Sequence, residues 1–532
     1  MITEGENPKD IDRLLVMTFT RAAAAEMRER IQAAIEKKLE SEPENEHLQQ
    51  QAVLVQFAQI TTIDSFCLHI MREHFDRLDI DPAFRVGDEG EMLLMRADVM
   101  DGLLEDYYRD GGKRYEEFVD AYATGKADGG IAEYVMQVYN FAQSNPWPDA
   151  WYEKCREELL LTEQGELEQT EWMQFLLRDI ALQAQEWKIQ LREAWEICQE
   201  TGGPMPYLPM IEEDLRHAEA VCGAAGSFET ISEALEQFTF SRLAAIRGKN
   251  GEVDPEKKAL VSDCRSRVKK AVEKLKGEYL FASPEQMLTD MEAGKERILE
   301  LLELAQEFGR RFRAKKKEKN VVDFHDLEHF ALEILTEPEA ECSEAEETSR
   351  AEETDQMQGK NAWTVRVPGT VADELAVQYD EILVDEYQDS NLVQETLIQC
   401  ISGERFDRPN VFMVGDVKQS IYKFRLARPE LFLEKYSTYT SEESAHQKIE
   451  LHQNFRSRDH ILESINAIFY RIMTEKLGNI SYTEDAALHP GAAFEERDGL
   501  DELKTELLLV DLSVQPQKET ESPELDDEAA DY

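Results

Sequence analysis

Two adjacent acids, Asp385 and Glu386, directly follow a short apolar run at residues 382–384. A short run of Ile, Leu and Val is typical of a buried parallel strand, and open α/β proteins bind ligands at the carboxyl ends of such strands. In nucleoside-triphosphate motors, an Asp at this place holds Mg²⁺ through water and the next Glu activates the attacking water. An acid pair is also common after ordinary strands, so the pair alone does not decide its role.

A second strand-like run, residues 410–414, is followed by Gly415 and Asp416, and Gln419 comes soon after. Because the carboxyl ends of parallel strands meet at one sheet edge, we predict that Gln419 lies near Asp385. There its amide can hydrogen-bond a γ-phosphate or the attacking water and so report whether the phosphate is present.

The aromatic residues Tyr422 and Phe424 are interleaved with cations, which are Lys418, Lys423, Arg425 and Arg428. This alternation suits single-stranded nucleic acid, because bases stack on the rings while the cations follow the backbone. The alternative is a pair of core rings beside a basic surface turn. The spacing alone favours neither interpretation.

Arg456, within the segment 451–458, follows a third predicted strand. A planar, permanently charged guanidinium that reaches across a domain cleft can stabilise the transition state of phosphoryl transfer. A surface arginine in the turn before a helix is the more common alternative.

These residues need a scaffold of alternating strands and helices. Apolar and β-branched runs predict strands at residues 14–20, 59–63, 381–386, 410–415 and 448–452. Good helix formers predict helices at residues 21–31, 64–75, 391–401, 429–435 and 459–475. From residue 88 to 336 the pattern is helical, with short breaks at residues 201–204 and 283–284. We therefore predict an α/β core of βαβ type that is split by a large helical insertion.

The chain has 532 residues and a formal net charge of −52. The length predicts two to four domains. The acidity alone argues against nucleic-acid binding, since phosphate contacts need Lys and Arg, but net charge does not report the sign of a local groove. Much of the acid lies in runs at 337–355 and after residue 515, which are typical of solvated, disordered segments.

The 7 cysteines are scattered and form no C-x-x-C pair. This pattern predicts reduced thiols in a cytoplasmic protein and argues against a zinc or iron–sulfur site. The first ten residues do not resemble a secretory signal, and no apolar run approaches the length of a membrane span, so we expect no membrane association.

The motifs occur in the order found in one enzyme family. Residues 18–31 resemble motif Ia of the UvrD-type superfamily 1 helicases, and residues 61–67 resemble the next DNA-contacting motif. Residues 382–389, 414–425 and 451–458 are similar to motifs II, III and IV. Several features favour the AddA-type branch of this family, with the RecB type as a close relative. They are the sequences of residues 415–432 and 80–91, the four alanines after Arg21 and the long insertion.

The resemblance implies a role for each matching residue. Asp385 would bind Mg²⁺, Glu386 would be the general base, Gln388 would lie near the ATP, Gln419 would couple the γ-phosphate to DNA, and Arg456 would be an arginine finger. The residues implied to line the single-strand track are Thr18, Phe19, Thr20, Thr62, Asp64, Ser65, Tyr422 and Phe424. Asp64 stands where related helicases often have His, which leaves the nature of that contact open.

Two further segments are interpreted without a catalytic role. Residues 322–327 resemble the family's "DFDDL" element, a structural or strand-guiding segment. The basic run at residues 310–319 is interpreted as a solvated helix face in preference to a DNA contact.

The implied fold is a RecA-like P-loop NTPase core with a parallel sheet, interrupted by an all-helical insertion and followed by the start of a second RecA-like domain. The implied domains are the first part of motor domain 1 (1–85), the insertion with an acidic run near 337–360 (86–370), the rest of motor domain 1 (371–444), the start of motor domain 2 (445–515) and an acidic linker (516–532).

The phosphate-binding sequence G-x-x-x-x-G-K-[ST] does not occur in the 532 residues. Motifs V and VI and a nuclease domain are also absent, so we expect an internal fragment without ATP hydrolysis of its own. The expected parent is a 3′–5′ DNA helicase subunit that acts on single- and double-stranded DNA in double-strand-break repair, paired with an AddB-type subunit. A stand-alone UvrD-like repair helicase and a non-catalytic DNA-binding scaffold are the alternatives.

Overall fold

The computed structural model describes residues 2–3, 8–123, 129–160, 164–224, 226–246, 253–338, 366–474, 480–495 and 505–510. Most of the acidic run near 337–360 and the whole segment 516–532 lie outside the described residues. The chain divides into two compact units, residues 1–448 and 449–532, which are described separately.

The strands of the described residues are short and mostly parallel. They are β1 (Leu14–Thr18), β2 (Gln59–Thr62), β3 (Arg85–Val86), β4 (Val321–Val322), β5 (Thr336–Pro338), β6 (Arg366–Pro368), β7 (Glu381–Val384), β8 (Val411–Met413), β9 (Gln453–Asn454) and β10 (His489–Pro490). Four of them form one parallel sheet in the order β2-β1-β7-β8. The α/β class predicted from the sequence is consistent with this arrangement.

Helices connect the strands of this sheet, form the insertion and follow the last strand. The first are α1 (Arg21–Ser41), α2 (Glu46–Leu54) and α3 (Ile63–Glu73). Those of the insertion are α4 (Glu89–Asp110), α5 (Gly112–Tyr122), α6 (Gly129–Gln143), α7 (Pro148–Glu158), α8 (Gln164–Gln169), α9 (Glu171–Gln199), α10 (Leu208–Gly223), α11 (Phe228–Gln237), α12 (Pro255–Tyr279) and α13 (Pro284–Glu318). The last are α14 (Phe324–Leu335), α15 (Thr370–Gln378), α16 (Leu392–Ile401), α17 (Pro429–Thr438) and α18 (Asp459–Ile472).

The central strand β1 is buried on both faces, as its unbroken apolar sequence predicts. Leu15 and Met17 pack on one face with residues of α3, α14, α15 and α16, whereas Leu14 and Val16 pack on the other face against α1 and α2. The alternation of side chains along the strand thus builds two cores from one short segment. These cores fix the sheet edge at which the candidate site lies.

The helical insertion begins and ends at neighbouring points. The chain enters it through β3 and leaves it through β4, and these two strands pair in parallel, with Arg85 opposite Val321. Separate apolar clusters stabilise its two halves, one around α4, α5, α6 and α13 and the other around α9 to α12. The insertion therefore has cores of its own.

One predicted strand is wrong. Residues 448–452 form no strand, and the short strand β9 follows them, paired with β10. The apolar side chains that suggested the strand, Ile449 and Leu451, are 67% and 86% exposed. A strand is stabilised by a paired neighbour along its length and by a buried face, and these two apolar side chains have no buried face among the described residues. No described helix is long and apolar enough to span a membrane.

Candidate nucleotide and nucleic-acid site

The parallel sheet brings the ends of β1, β7 and β8 together at one edge. The backbone N–H of Asp385 donates to the carbonyl of Met17 at 2.9 Å, and the N–H of Val414 donates to the carbonyl of Val384 at 2.8 Å. Tyr387 then donates from its backbone N–H to Val414 at 2.9 Å. The acids after β7 and the turn after β8 are therefore held side by side.

Glu386 has an unusual backbone conformation, with φ 52° and ψ 39°. The left-handed region is unfavourable for residues with a Cβ by about 1–2 kcal/mol, and it persists where neighbouring contacts enforce it. One such contact is the side-chain amide of Gln388, which donates to Oε2 of Glu386 at 2.7 Å. The exposed carboxylate of Glu386 is thus held in place at the mouth of the site.

Gln388 bridges the two turns, and it is only 1% exposed. Its Oε1 accepts a hydrogen bond from the backbone N–H of Asp416 at 2.9 Å, while its Nε2 donates to Glu386 and, at 3.4 Å, to Asp389. The position of Gln388 near the nucleotide stays a prediction; in the structure both ends of its amide are engaged by protein groups. Gln388 thus links Glu386 and Asp389 to the turn after β8.

Gly415 leaves the space that this bridge needs. A Cβ at this position would lie 2.6 Å from Oε1 of Gln388 and 3.3 Å from a ring carbon of Phe432. Both distances are shorter than ordinary van der Waals contact. Sequence reasoning did not single out Gly415, since nothing local in the sequence shows that Gln388 lies against it.

Asp385 lies in a partly buried position that disfavours its charge. Burial raises the pKa of Asp385, the charge of Glu386 raises this pKa further, and a backbone hydrogen bond from Glu386 opposes the rise. The pKa of Asp389 is raised by burial and by the same glutamate. A divalent cation would relieve this crowding of carboxylates.

The carboxylates fit Mg²⁺, because this ion keeps several waters and is usually held by one or two carboxylates together with substrate phosphates. Among the described residues, no group of three or more His, Cys, Asp or Glu side chains is arranged to hold a metal. Asp385 would therefore share the ion with water and phosphate oxygens.

Gln419 lies exposed in the turn after β8. Its Nε2 donates to Oδ2 of Asp416 at 3.1 Å, and Lys418 pairs with Oδ1 of Asp416 at 2.8 Å. Because the backbone of Asp416 also donates to Gln388, a continuous series of hydrogen bonds runs from Gln419 through Asp416 and Gln388 to Glu386. This series is named the polar relay.

Three rings form a surface beside the relay. Phe19 and Tyr422 are stacked, with centroids 5.1 Å apart and planes inclined by 29°, and Tyr422 and Phe424 follow at 6.0 Å. The guanidinium of Arg425 lies 5.5 Å and 5.7 Å from the centroids of Tyr422 and Phe424. Phe424 is 77% exposed, which excludes the interpretation of this ring as part of the core. Phe19, Tyr422 and Phe424 are together named the aromatic surface.

The remaining residues of the predicted DNA track have mixed positions. Thr18 and Thr62 are buried and lie opposite each other in neighbouring strands, and Thr62 caps α3 by accepting from the N–H of Ser65. Thr20 caps α1 and is exposed. Burial raises the pKa of the half-buried Asp64, against the opposing charge of Arg21. Thr20 and Thr62 thus fix the starts of α1 and α3.

Arg456 lies in the second unit, just after β9. Its backbone N–H donates to Oδ1 of Asn454 at 3.0 Å, in a turn that precedes α18, and its side chain is exposed. Its role as an arginine finger stays a prediction.

The basic run at residues 310–319 is largely a solvated helix face, with one exception. Lys316 is 3% exposed, and its ammonium pairs with Asp323 at 3.0 Å and Asp326 at 2.6 Å. It also lies 4.4 Å from the centroid of the Phe312 ring. Asp323 and Asp326 form the capping box of α14, so the "DFDDL"-like element has a structural function here.

Comparisons with known proteins agree with these motifs. A family described as the UvrD/REP helicase N-terminal domain matches residues 1–440. The A-type subunit of the ATP-dependent helicase/nuclease of Lachnoclostridium phytofermentans is 42% identical over 96% of this chain and 36% of that protein. The protein of the same name from Clostridium beijerinckii is 39% identical over 93% of this chain and 38% of its own length. That from Bacillus velezensis is 39% identical over 96% of this chain and 39% of its own length. The chain spans less than two fifths of the length of these relatives. Because the family match covers most of its residues, the chain belongs to the UvrD/REP helicase family.

Proposed function

We propose that this chain is part of the motor of an ATP-dependent DNA helicase that translocates 3′ to 5′ on single-stranded DNA. The observation that carries the proposal is the polar relay, which joins Glu386 to Gln419 directly beside the exposed aromatic surface. A motor needs such a link, since the state of the nucleotide must change the grip on DNA. The sheet is proposed to be RecA-like.

In this proposal each predicted nucleotide-site residue has one task. Asp385 would hold Mg²⁺, which would neutralise charge that develops on the phosphates. Glu386 would accept a proton from the attacking water, and Gln419 would respond to the γ-phosphate. Gln388 would fix the position of Glu386 without contacting the nucleotide, and Arg456 would stabilise the transferring phosphoryl group.

The relatives' name supports a subunit of an AddAB-type helicase-nuclease over a stand-alone helicase. Three relatives with this name match across the helical insertion as well as the motifs. We therefore propose a cytoplasmic role in the processing of double-strand breaks for homologous recombination, with an AddB-type partner. Single- and double-stranded DNA would be the substrates.

The 532-residue polypeptide on its own should not hydrolyse ATP at a DNA-dependent rate. Its sequence supplies carboxylates for metal and water but no G-x-x-x-x-G-K-[ST] loop whose N–H groups and Lys would bind the phosphates. The measurement is phosphate release with and without single-stranded DNA. DNA-stimulated turnover by this polypeptide that is abolished by Glu386→Gln would refute the expectation.

The aromatic surface provides the test of DNA binding. Phe424→Ala should weaken the binding of a fluorescent oligothymidine by roughly 5- to 150-fold, because stacking on one base contributes about 1–3 kcal/mol. Phe406→Ala is the matched control, since Phe406 is also exposed and also lies against an arginine, Arg405, at 4.9 Å. Equal losses in the two variants, or none in either, would contradict the proposal.

A further inference from the structure

Glu328 is a buried carboxylate that the proposed motor function does not use. It lies on α14, which packs between α3 and α16, and it is 5% exposed. Its Oε1 accepts from Nε2 of Gln394 at 2.7 Å, and its Oε2 accepts from Nδ2 of Asn391 at 3.5 Å. Among the described residues, no Lys, Arg or His forms an ion pair with it. A buried carboxylate without a cation is costly, which calls for an explanation.

The two donors are the residues that begin α16. Oδ1 of Asn391 accepts from the backbone N–H of Gln394 at 2.8 Å, and Oε1 of Gln394 accepts from the backbone N–H of Asn391 at 3.4 Å. This capping box leaves the NH₂ groups of both side chains pointing to Glu328, which must accept from them. The cap follows Asp389 closely in the chain, so Glu328 is tied to the segment that carries Asp385 and Glu386.

The opposite side of Glu328 faces the start of α3. The titratable groups of α3 that interact with Glu328 among the described residues are Asp64, in the first turn of the helix, and Cys67, while α16 contributes the side-chain amides of Asn391 and Gln394. Arg21, at the start of α1, is near Asp64 and opposes the rise of its pKa. Because α14 packs on α3, the charge of Asp64 acts on Glu328, and burial followed by this charge raises the pKa of Glu328 to about 7.

We propose that Glu328 is a positioning residue that couples the start of α16, and with it the Asp385–Glu386 turn, to the Thr62–Ser65 turn at the start of α3. This inference rests on the proposed function of the latter turn in the single-strand track. Ionised Glu328 accepts from the cap of α16 and repels Asp64. Protonated Glu328 keeps one acceptor and no longer repels Asp64, so the start of α3 moves toward α14. The position of the DNA-facing turn then depends on the state of the α16 cap.

The test is the pH dependence of oligothymidine binding by the whole chain, measured by fluorescence anisotropy at constant salt between pH 6 and pH 8. We expect Kd to change between pH 6 and pH 8 by a factor that is about five times greater for the native chain than for Glu328→Gln. A fivefold effect is typical of the coupling between two sites. The control is Glu333→Gln, the same change at an exposed position of the same helix, which should keep the native ratio.

A second variant keeps the inference testable if Glu328→Gln does not fold. Asp64→Asn removes the repelling charge, so it should shift the midpoint of the pH transition to a lower pH, which a merely structural loss of affinity would not do. Equal pH ratios for native, Glu328→Gln and Glu333→Gln chains, or an unshifted midpoint in Asp64→Asn, would overturn the inference alone. No binding by the native chain at any pH would overturn the proposed function and this inference with it.

Discussion

Replacing Glu328 by Gln should stabilise the first unit at pH 8 more than at pH 5. The carboxyl group has a pKa of about 7 in the folded chain against 4.5 for an ordinary glutamate, owing first to burial and then to Asp64. The folded state therefore binds this proton more tightly than the unfolded state. It follows that the native chain loses stability as pH rises through the interval from 4.5 to 7 and that the loss is complete above pH 7.

The magnitude follows from the two pKa values. With these values, ionisation of Glu328 costs the fold roughly 1 kcal/mol at pH 5 and about 3 kcal/mol at pH 8. Gln is neutral at both values and keeps an acceptor for Gln394, so any change in hydrogen bonding cancels between them. The free energy gained by Glu328→Gln should thus grow by about 2 kcal/mol from pH 5 to pH 8.

Hydrogen exchange followed by mass spectrometry provides the assay, because it reports local opening of α14 in a chain of more than one unit. Protection of peptides covering α14 would be compared at the two pH values, after correction for the intrinsic exchange rate. The exposed control Glu333→Gln should show no pH-dependent difference. A difference between Glu328→Gln and the native chain that is constant with pH would refute the reasoning.

Two further substitutions test contacts that position the site. Gln388→Leu removes the hydrogen-bond partner of both the Asp416 N–H and the Glu386 carboxylate. We therefore expect the segment after β7 to lose about 2–4 kcal/mol of local stability, measured by hydrogen exchange. Unchanged protection of this segment would show that the polar relay does not hold Glu386. Lys316→Met leaves two buried carboxylates without their ammonium and should cost about 3–5 kcal/mol. Lys315→Met, at a half-buried position whose side chain is 38% exposed, should change stability in thermal unfolding by less than about 1 kcal/mol. Equal effects of the two substitutions would contradict the burial of Lys316.

The sequence predicted the sheet edge well because its signal is local. Each strand of the core is a short apolar run, and parallel pairing then places the residues that follow β7 and β8 together. Asp385, Glu386 and Gln419 were placed by this argument alone. The helices after these strands were also predicted, since their residues are good helix formers.

The partners of buried polar groups could not be read from the sequence. The amide of Gln388 accepts from the backbone of Asp416, which lies 28 residues away in the chain. Glu328 meets Gln394 at a separation of 66 residues. A glutamate or lysine in a helix is normally solvated, and only tertiary packing buries it. The strand predicted at 448–452 failed for the same reason, because its apolar residues find no buried face among the described residues.

The proposed motor function depends above all on the binding of single-stranded DNA by the aromatic surface beside the polar relay. Photocrosslinking of an oligonucleotide that carries 5-iodouracil, followed by mass-spectrometric mapping of the adducts, identifies the residues that touch the bases. We predict adducts on Phe19, Tyr422 or Phe424. Adducts confined to the helical insertion, with these three rings unmodified, would contradict the proposal.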